Sequence, residues 1–229
     1  MNKNIIKRFA VALVLAMVLG LGFAPKDTLA VSPMRPQSAS GVATFRSYGK
    51  YDGNVREYMD DYWFGNVVNS TATTIYVGDD SAKRLLVGVL DFDTSSLPDN
   101  ATVTYAVLQV RVFSMNTRYG DPYWALGDLN ADIAAPYFGI FPKLESIDFE
   151  SFAAGYAGMF SQVYNSNQWA YLDVDPLVYM FIDPTGRTQF KIYFYDDNDD
   201  NLPQGLTIIS GNHPSVTYRP TLTVYFDVP

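Results

Sequence analysis

Apolar and polar positions alternate with period two through most of this chain, from about residue 42 to its last residues. In Leu85–Phe113, LLVGVLDFDTSSLPDNATVTYAVLQVRVF, the residues Leu86, Gly88, Leu90 and Phe92 share one face of a predicted strand. After a Ser-Ser-Leu-Pro-Asp-Asn turn, Ala106, Leu108, Val110 and Val112 share a face of the next, with Gln109 and Arg111 opposite. Side chains of a strand point alternately to its two faces, so this pattern predicts antiparallel sheet with one packed and one wet face.

The same period recurs along the chain. Strands are expected at Val42–Ser47, Thr73–Val77, Leu129–Ile133, Trp169–Val174, Gln189–Tyr195, Leu206–Ile209 and Thr221–Phe226. Turn clusters such as Gly78-Asp79-Asp80 separate them. Asp175–Ile182 reads as one helical turn, with Pro176 tolerated near its start. Ile147–Met159 reads as a short helix or an irregular excursion. Eight or more short strands with one or two helical excursions predict an all-β fold, an antiparallel β-sandwich of the jelly-roll type. No internal repeat is visible, which disfavours a solenoid or propeller.

The N-terminus departs from this pattern. Lys3, Lys7 and Arg8 precede the apolar run Phe9–Phe23, and Thr28-Leu29-Ala30 supplies small residues for cleavage. Residues 1–30 are therefore expected to be a signal peptide, since the apolar run is short for a retained anchor. Residues 31–43, rich in Pro and Ser, read as a linker, and 44–229 as a single domain. The expected location is secreted, with no membrane contact after cleavage.

Charge narrows the partners. The whole chain carries a net charge of −8, and residues 1–30 hold four of its basic residues but only one acid. The exported part is thus more acidic still, which argues against nucleic acid and anionic lipid. Neutral glycans and cationic surfaces remain compatible. There is no cysteine, so disulfides, thiolate metal sites and thiol redox chemistry are excluded.

Several segments together resemble the DNRLRE, or disaggregatase-related, domain family of secreted proteins. They are Leu90–Pro98 (LDFDTSSLP) with Ala101-Thr102-Val103-Thr104 after it, and Thr74–Asp80 (TIYVGDD) before it. Thr188–Asp200 (TQFKIYFYDDNDD) and Tyr218–Tyr225 (YRPTLTVY) are similar to its closing region, so the resemblance runs from about Thr44 to Pro229. Such domains are similar to jelly-roll carbohydrate-binding modules. The resemblance implies a sandwich fold and a role in glycan binding.

Two features carry candidate chemistry. The first is aromatic. Tyr62-Trp63-Phe64-Gly65 and Tyr119–Trp124 (YGDPYW) lie outside the alternating runs, flanked by Asp61, Arg118 and Asp121. Flat rings beside hydrogen-bonding groups suit a pyranose, whose apolar face packs on a ring while its hydroxyls find polar partners. Tyr62, Trp63, Arg118, Tyr119, Tyr123 and Trp124 are therefore the expected ligand-binding residues. Rings that merely cap the sandwich ends as satellite core are the competing explanation. Tyr193 and Tyr195, opposite Phe190, Ile192 and Phe194, form a second platform unless a loop covers them.

The second feature is acidic. Asp196, Asn198 and Asp200 place oxygens at alternate positions, as a calcium ion requires. Asn201 and Thr207 stand where an EF-hand has its glycine and its bidentate glutamate, so the segment is not an EF-hand. A structural calcium site and a solvated hairpin tip both fit, and Asp79-Asp80 forms a second acidic turn.

Signatures of catalysis are thin. His213, in Gly211-Asn212-His213-Pro214, is the single histidine. There is no nucleophile elbow and no phosphate-binding loop. Acid pairs such as Asp91/Asp93 and Glu145/Asp148/Glu150 satisfy the minimal need of a glycosidase but are expected by chance in so acidic a chain. The sequence favours a non-catalytic secreted module that binds extracellular or cell-wall polysaccharide. A structural or adhesive envelope protein that self-associates is the alternative, and a polysaccharide hydrolase or lyase comes third.

Overall fold

A computed structural model describes residues 41–58, 64–196 and 200–228. Among these, the strands in chain order are β1 (Gly41–Arg46), β2 (Gly53–Glu57), β3 (Gly65–Asn69), β4 (Thr74–Asp79), β5 (Leu85–Asp93) and β6 (Thr102–Asn116). There follow β7 (Leu129–Ala134), β8 (Gly155–Met159), β9 (Trp169–Asp173), β10 (Arg187–Phe194), β11 (Gly205–Ile209) and β12 (Thr221–Asp227). One short helix, α1 (Pro122–Leu126), and 3₁₀ turns at Ser146–Asp148, Pro176–Phe181 and Val216–Tyr218 complete the described secondary structure.

The strands pair antiparallel in the order β1-β12-β6-β11-β4-β5-β10-β7-β8, with β2 on β5, β3 on β2 and β9 on β6. The long β6 makes the corner. Thr102–Gln109 pairs with β12, whereas Val112–Asn116 pairs with β11 along the same edge. A bridge between Ser47 and Phe92 brings the end of β1 back to β5, so the sheet curls on itself. The fold is an all-β sandwich, as the alternation predicts. Its main core is built from the inward set, including Leu90, Phe92, Leu108, Val110, Ile133, Phe190 and Ile192. Phe92 and Phe190 meet edge to face at 6.0 Å.

The Ser-Ser-Leu-Pro turn is scaffold. Leu97 is buried in the core, and Thr94 Oγ donates to the Asp183 carbonyl at 2.6 Å, which ties this turn to the one before β10.

Three expectations change. Gly41–Ala43, read from sequence as the end of a linker, already pairs with β12. The segment Ile147–Met159 forms neither a helix nor only an excursion: it contains the end of a 3₁₀ turn and then β8, which pairs with β7. The outer face of β5 is not wet. Val87, Val89 and Asp91 are buried, because the connection 135–153 lies across that face as a strap. Phe138, Leu144 and Phe149 of the strap pack with Val55, Leu85, Val87, Val89 and Ala134 into a second, smaller core.

Two residues of β10 hold the strap. Lys191 Nζ donates to the carbonyls of Asp148, Phe149 and Ser151 at 3.2, 3.1 and 2.8 Å. Gln189 accepts from the Phe138 amide at 3.0 Å and donates to the Pro142 carbonyl at 2.7 Å.

Candidate functional site

At one end of the sandwich, β6 and β10 finish while β7 and β11 begin. Their connections are tied together there. Asn116 Nδ2 donates to the Pro203 carbonyl at 2.6 Å, and Gln204 Nε2 donates to the Tyr119 carbonyl at 3.1 Å. The expected aromatic loop and the acidic segment are thus neighbours, although about eighty residues separate them in sequence.

The aromatic loop is shaped by α1. Asp121 caps it by accepting from the Tyr123 amide at 3.0 Å, Pro122 fills its first position, and Gly127 (φ 75°) ends it. Successive residues of a helical turn point in divergent directions, so Tyr123 and Trp124 have opposite fates. Tyr123 turns inward against Phe194, with ring centroids 5.8 Å apart, and its hydroxyl accepts from the Val163 amide at 3.3 Å. Burial pushes its phenol up to about 12. Tyr123 anchors the helix, and its ring offers no open stacking face. Trp124 turns outward and is 90% exposed.

Trp124 borders an open recess of about 300 Å³ lined by Asp121, Tyr123, Trp124, Gln162 and Tyr164. Tyr164 is 69% exposed. Gln162 joins the two sides of the recess, donating to Asp128 Oδ1 at 3.1 Å and accepting from the Tyr164 hydroxyl at 3.1 Å. Tyr119, in the same loop, is exposed, with the Arg118 guanidinium 5.2 Å from its ring centre. Exposed rings, a side-chain amide and carboxylates thus share one small surface. Such a surface can stack the apolar face of a sugar and hydrogen-bond its hydroxyls.

The acidic turn starts against this surface. The Tyr195 amide donates to the Asp128 carbonyl at 3.0 Å and that of Asp196 to Leu126 at 2.8 Å. The Asp196 carboxylate lies beside Gly127. Asp200 accepts from the Leu202 amide at 2.7 Å. Asn198, Tyr62 and Trp63 lie outside the described residues. Among the described residues no group of three or more His, Asp or Glu side chains is arranged to hold a metal ion. Asp79 is buried and accepts from the Gln204 amide at 2.7 Å, so it fastens β4 to the same end. Asp80 pairs with Arg84 at 2.7 Å.

Other singled-out residues have structural partners. Tyr193 lies half-buried beneath the strap's apolar cluster and donates to Asp132 at 3.1 Å, so it is covered; Tyr195 is exposed. His213 Nδ1 accepts from the Ser215 amide at 3.1 Å, and its ring tilts onto Tyr218. Asp91 is fully buried, where it receives Arg187 through two nitrogens and Gln189 at 2.9 Å. The Arg187 guanidinium stacks near Tyr48 and Tyr51, at 4.9 and 4.8 Å from the ring centres.

A second aromatic surface was not singled out from the sequence. On the outer face of β12, β6 and β9, Tyr225 lies 5.5 Å from Tyr105, the Tyr105 hydroxyl donates to Asp173, and Tyr171 is exposed. Nearby, the Arg111 guanidinium lies 3.7 Å over the Tyr218 ring. Its signal was present in the alternation, since these residues occupy the positions opposite Leu108, Leu172 and Val224.

The chain matches no model of a known protein family, and a search of curated proteins finds no similar one.

Proposed function

We propose that this chain is an exported, non-catalytic module that binds a cell-wall or extracellular polysaccharide through the loop end of its sandwich. One observation carries the proposal: Trp124 stands almost fully exposed on a capped helical turn, at the rim of a recess that also presents Tyr164, Gln162 and Asp121. Exposing an indole forgoes one of the largest burial energies a side chain can supply, and a binding role explains the placement. Because Asp121, Pro122 and Tyr123 fix the turn, little entropy remains to be lost when a sugar stacks there. The resemblance to DNRLRE domains supports the same reading.

Affinity electrophoresis against neutral polysaccharides (cellulose, xylan, mannan, mixed-linkage glucan, chitin) tests the proposal. Retardation by at least one is expected. Trp124→Ala should weaken it at least about tenfold, in keeping with the energy of a single aromatic anchor, without lowering the melting temperature. A blank panel, or unaltered binding by the variant, would remove the proposal.

Calcium enters as a stabiliser of the acidic segment bounded by Asp196 and Asp200, with Asp196 next to Gly127 at the end of α1. Millimolar calcium should then raise the melting temperature, because a ligand of the folded state stabilises it by mass action. The response should vanish in Asp196→Ala/Asp200→Ala.

Self-association is a second reading, favoured by a separate observation. Phe152, Leu177 and Met180 are 96, 81 and 80% exposed, apolar side chains left bare to solvent.

A further inference from the structure

Resting on that reading, we infer that the recess at Trp124 selects sugars carrying a positive charge, and that its ligand class is a glycan containing unacetylated amino sugar. Its lining includes one carboxylate, and two more contact residues of the same end of the sandwich. Asp121 lines it, Asp128 holds Gln162 at its wall, and Asp196 stands against Gly127 at the end of α1. These carboxylates come from both of the connections that form this end, the one between β6 and β7 and the one after β10.

Asp121, in the lining, and Asp128, bonded to the lining residue Gln162, are not neutralised internally. Neither Asp121 nor Asp128 forms an ion pair among the described residues, and each has one oxygen engaged by a neutral donor, the Tyr123 amide and Gln162 Nε2 respectively. No Lys or Arg lines the recess, and the Arg118 guanidinium lies at the Tyr119 ring. Elsewhere in the molecule the pattern differs. Asp91 and Asp93 share Arg187, Asp80 takes Arg84, and Glu145 takes Lys143.

An ammonium group on a stacked sugar meets both parts of this surface. The faces of Trp124 and Tyr164 attract a cation through their quadrupoles, and the carboxylates attract it by charge. A uronate meets repulsion from the same groups. An N-acetylated sugar keeps the stacking but loses the charge. The acidity of the whole chain adds long-range steering of the same sign.

Isothermal titration of the full chain with glucosamine tetramers and their N-acetylated counterparts tests this, at a pH where the amine is protonated. The amine form should bind about tenfold more tightly, the sum expected of one exposed cation–aromatic contact and one exposed ion pair. The preference should shrink as salt is raised. Asp128→Asn should reduce it, while Asp99→Asn, at an exposed turn in another part of the sequence, should leave it intact. Equal or tighter binding of the acetylated form would overturn the inference. So would an equal loss in Asp128→Asn and Asp99→Asn, which would mark a non-specific attraction of the whole molecule. If the acetylated form binds and Trp124→Ala abolishes that binding, the polysaccharide reading survives the failure. If neither form binds, the inference falls, and the polysaccharide reading is decided by the neutral panel.

Discussion

Asp52 and Asp148 are acidic residues placed where a negative charge is costly. Asp52 is fully buried and accepts from the amides of Asp91 at 2.9 Å and Gly211 at 2.8 Å. Asp148 accepts from the Glu145 amide at 2.8 Å through one oxygen, while the other is buried without a partner. Burial pushes both carboxyls up to about 7 from an ordinary 3.8. A raised carboxyl favours folding fully below its unfolded value, and that contribution is lost as pH climbs through the folded one. Lys191, pushed down by burial to about 8 from 10.5, adds a cost below about 8 that is relieved only in alkali. Asp80 and Asp93 are held below the usual range, so their contribution is lost only in stronger acid. The melting temperature should therefore be higher near about pH 5 than near about pH 7.5, the opposite of a protein limited by paired carboxylates. Asp91 and Asp132 are also raised by burial and act in the same direction, and Asp148→Asn should flatten the fall by removing one of these groups. A melting temperature that rises steadily between these two pH values would contradict the assignment.

At the scale of elements, the strap 135–153 depends on β10 more than on its own secondary structure, which within it is one 3₁₀ turn. Lys191→Met should leave three carbonyls without their donor. The expected cost is about 3 kcal/mol by denaturant unfolding, since each lost partner is worth about 1 kcal/mol. Amide exchange should accelerate first at Phe138 and across 148–153, ahead of β5 and β6. Uniform acceleration through the sheet would show that the strap is not a separate unit.

These elements also show what can be read from sequence. Strands such as β5, β6, β10 and β12 were legible because their inward residues repeat every second position over five or more residues. The strands β2, β3 and β8 were not: GNVRE, GNVVN and GYAGM carry too few alternating apolar residues, and pairing with neighbours decides them. The strap was hidden for a related reason. Its buried residues Phe138, Leu144 and Phe149 follow no helical or strand period, and only the three-dimensional path brings them onto β5. In the candidate site, the Asp-Pro start and Gly end of α1 were present as local signals, but the turn is too short for periodicity to reveal it. Sequence placed Tyr123 and Trp124 in one class. The helical turn separates them into an anchor and an exposed ring.

At the scale of the whole molecule, two surfaces compete for the proposed recognition role, and separately exposed apolar residues bear on self-association. Phe152, Leu177 and Met180 would drive concentration-dependent association if they met a second copy. Light scattering across a hundredfold dilution should report a constant monomer mass if glycan binding is the principal role, and a mass that falls on dilution if self-association is. The loop end gathers connections from both halves of the chain, whereas the sheet face of Tyr105, Tyr171 and Tyr225 is made by strands alone.

The central claim is that the loop end meets a sugar, and amide and indole chemical-shift mapping tests it. With an oligosaccharide of a retained glycan, the largest shifts are expected at the Trp124 indole, the Gln162 side-chain amide and the backbone of Tyr164 and Asp121. Shifts confined to Tyr105, Tyr171, Tyr225 and their strand neighbours, with the Trp124 indole unmoved, would contradict the account.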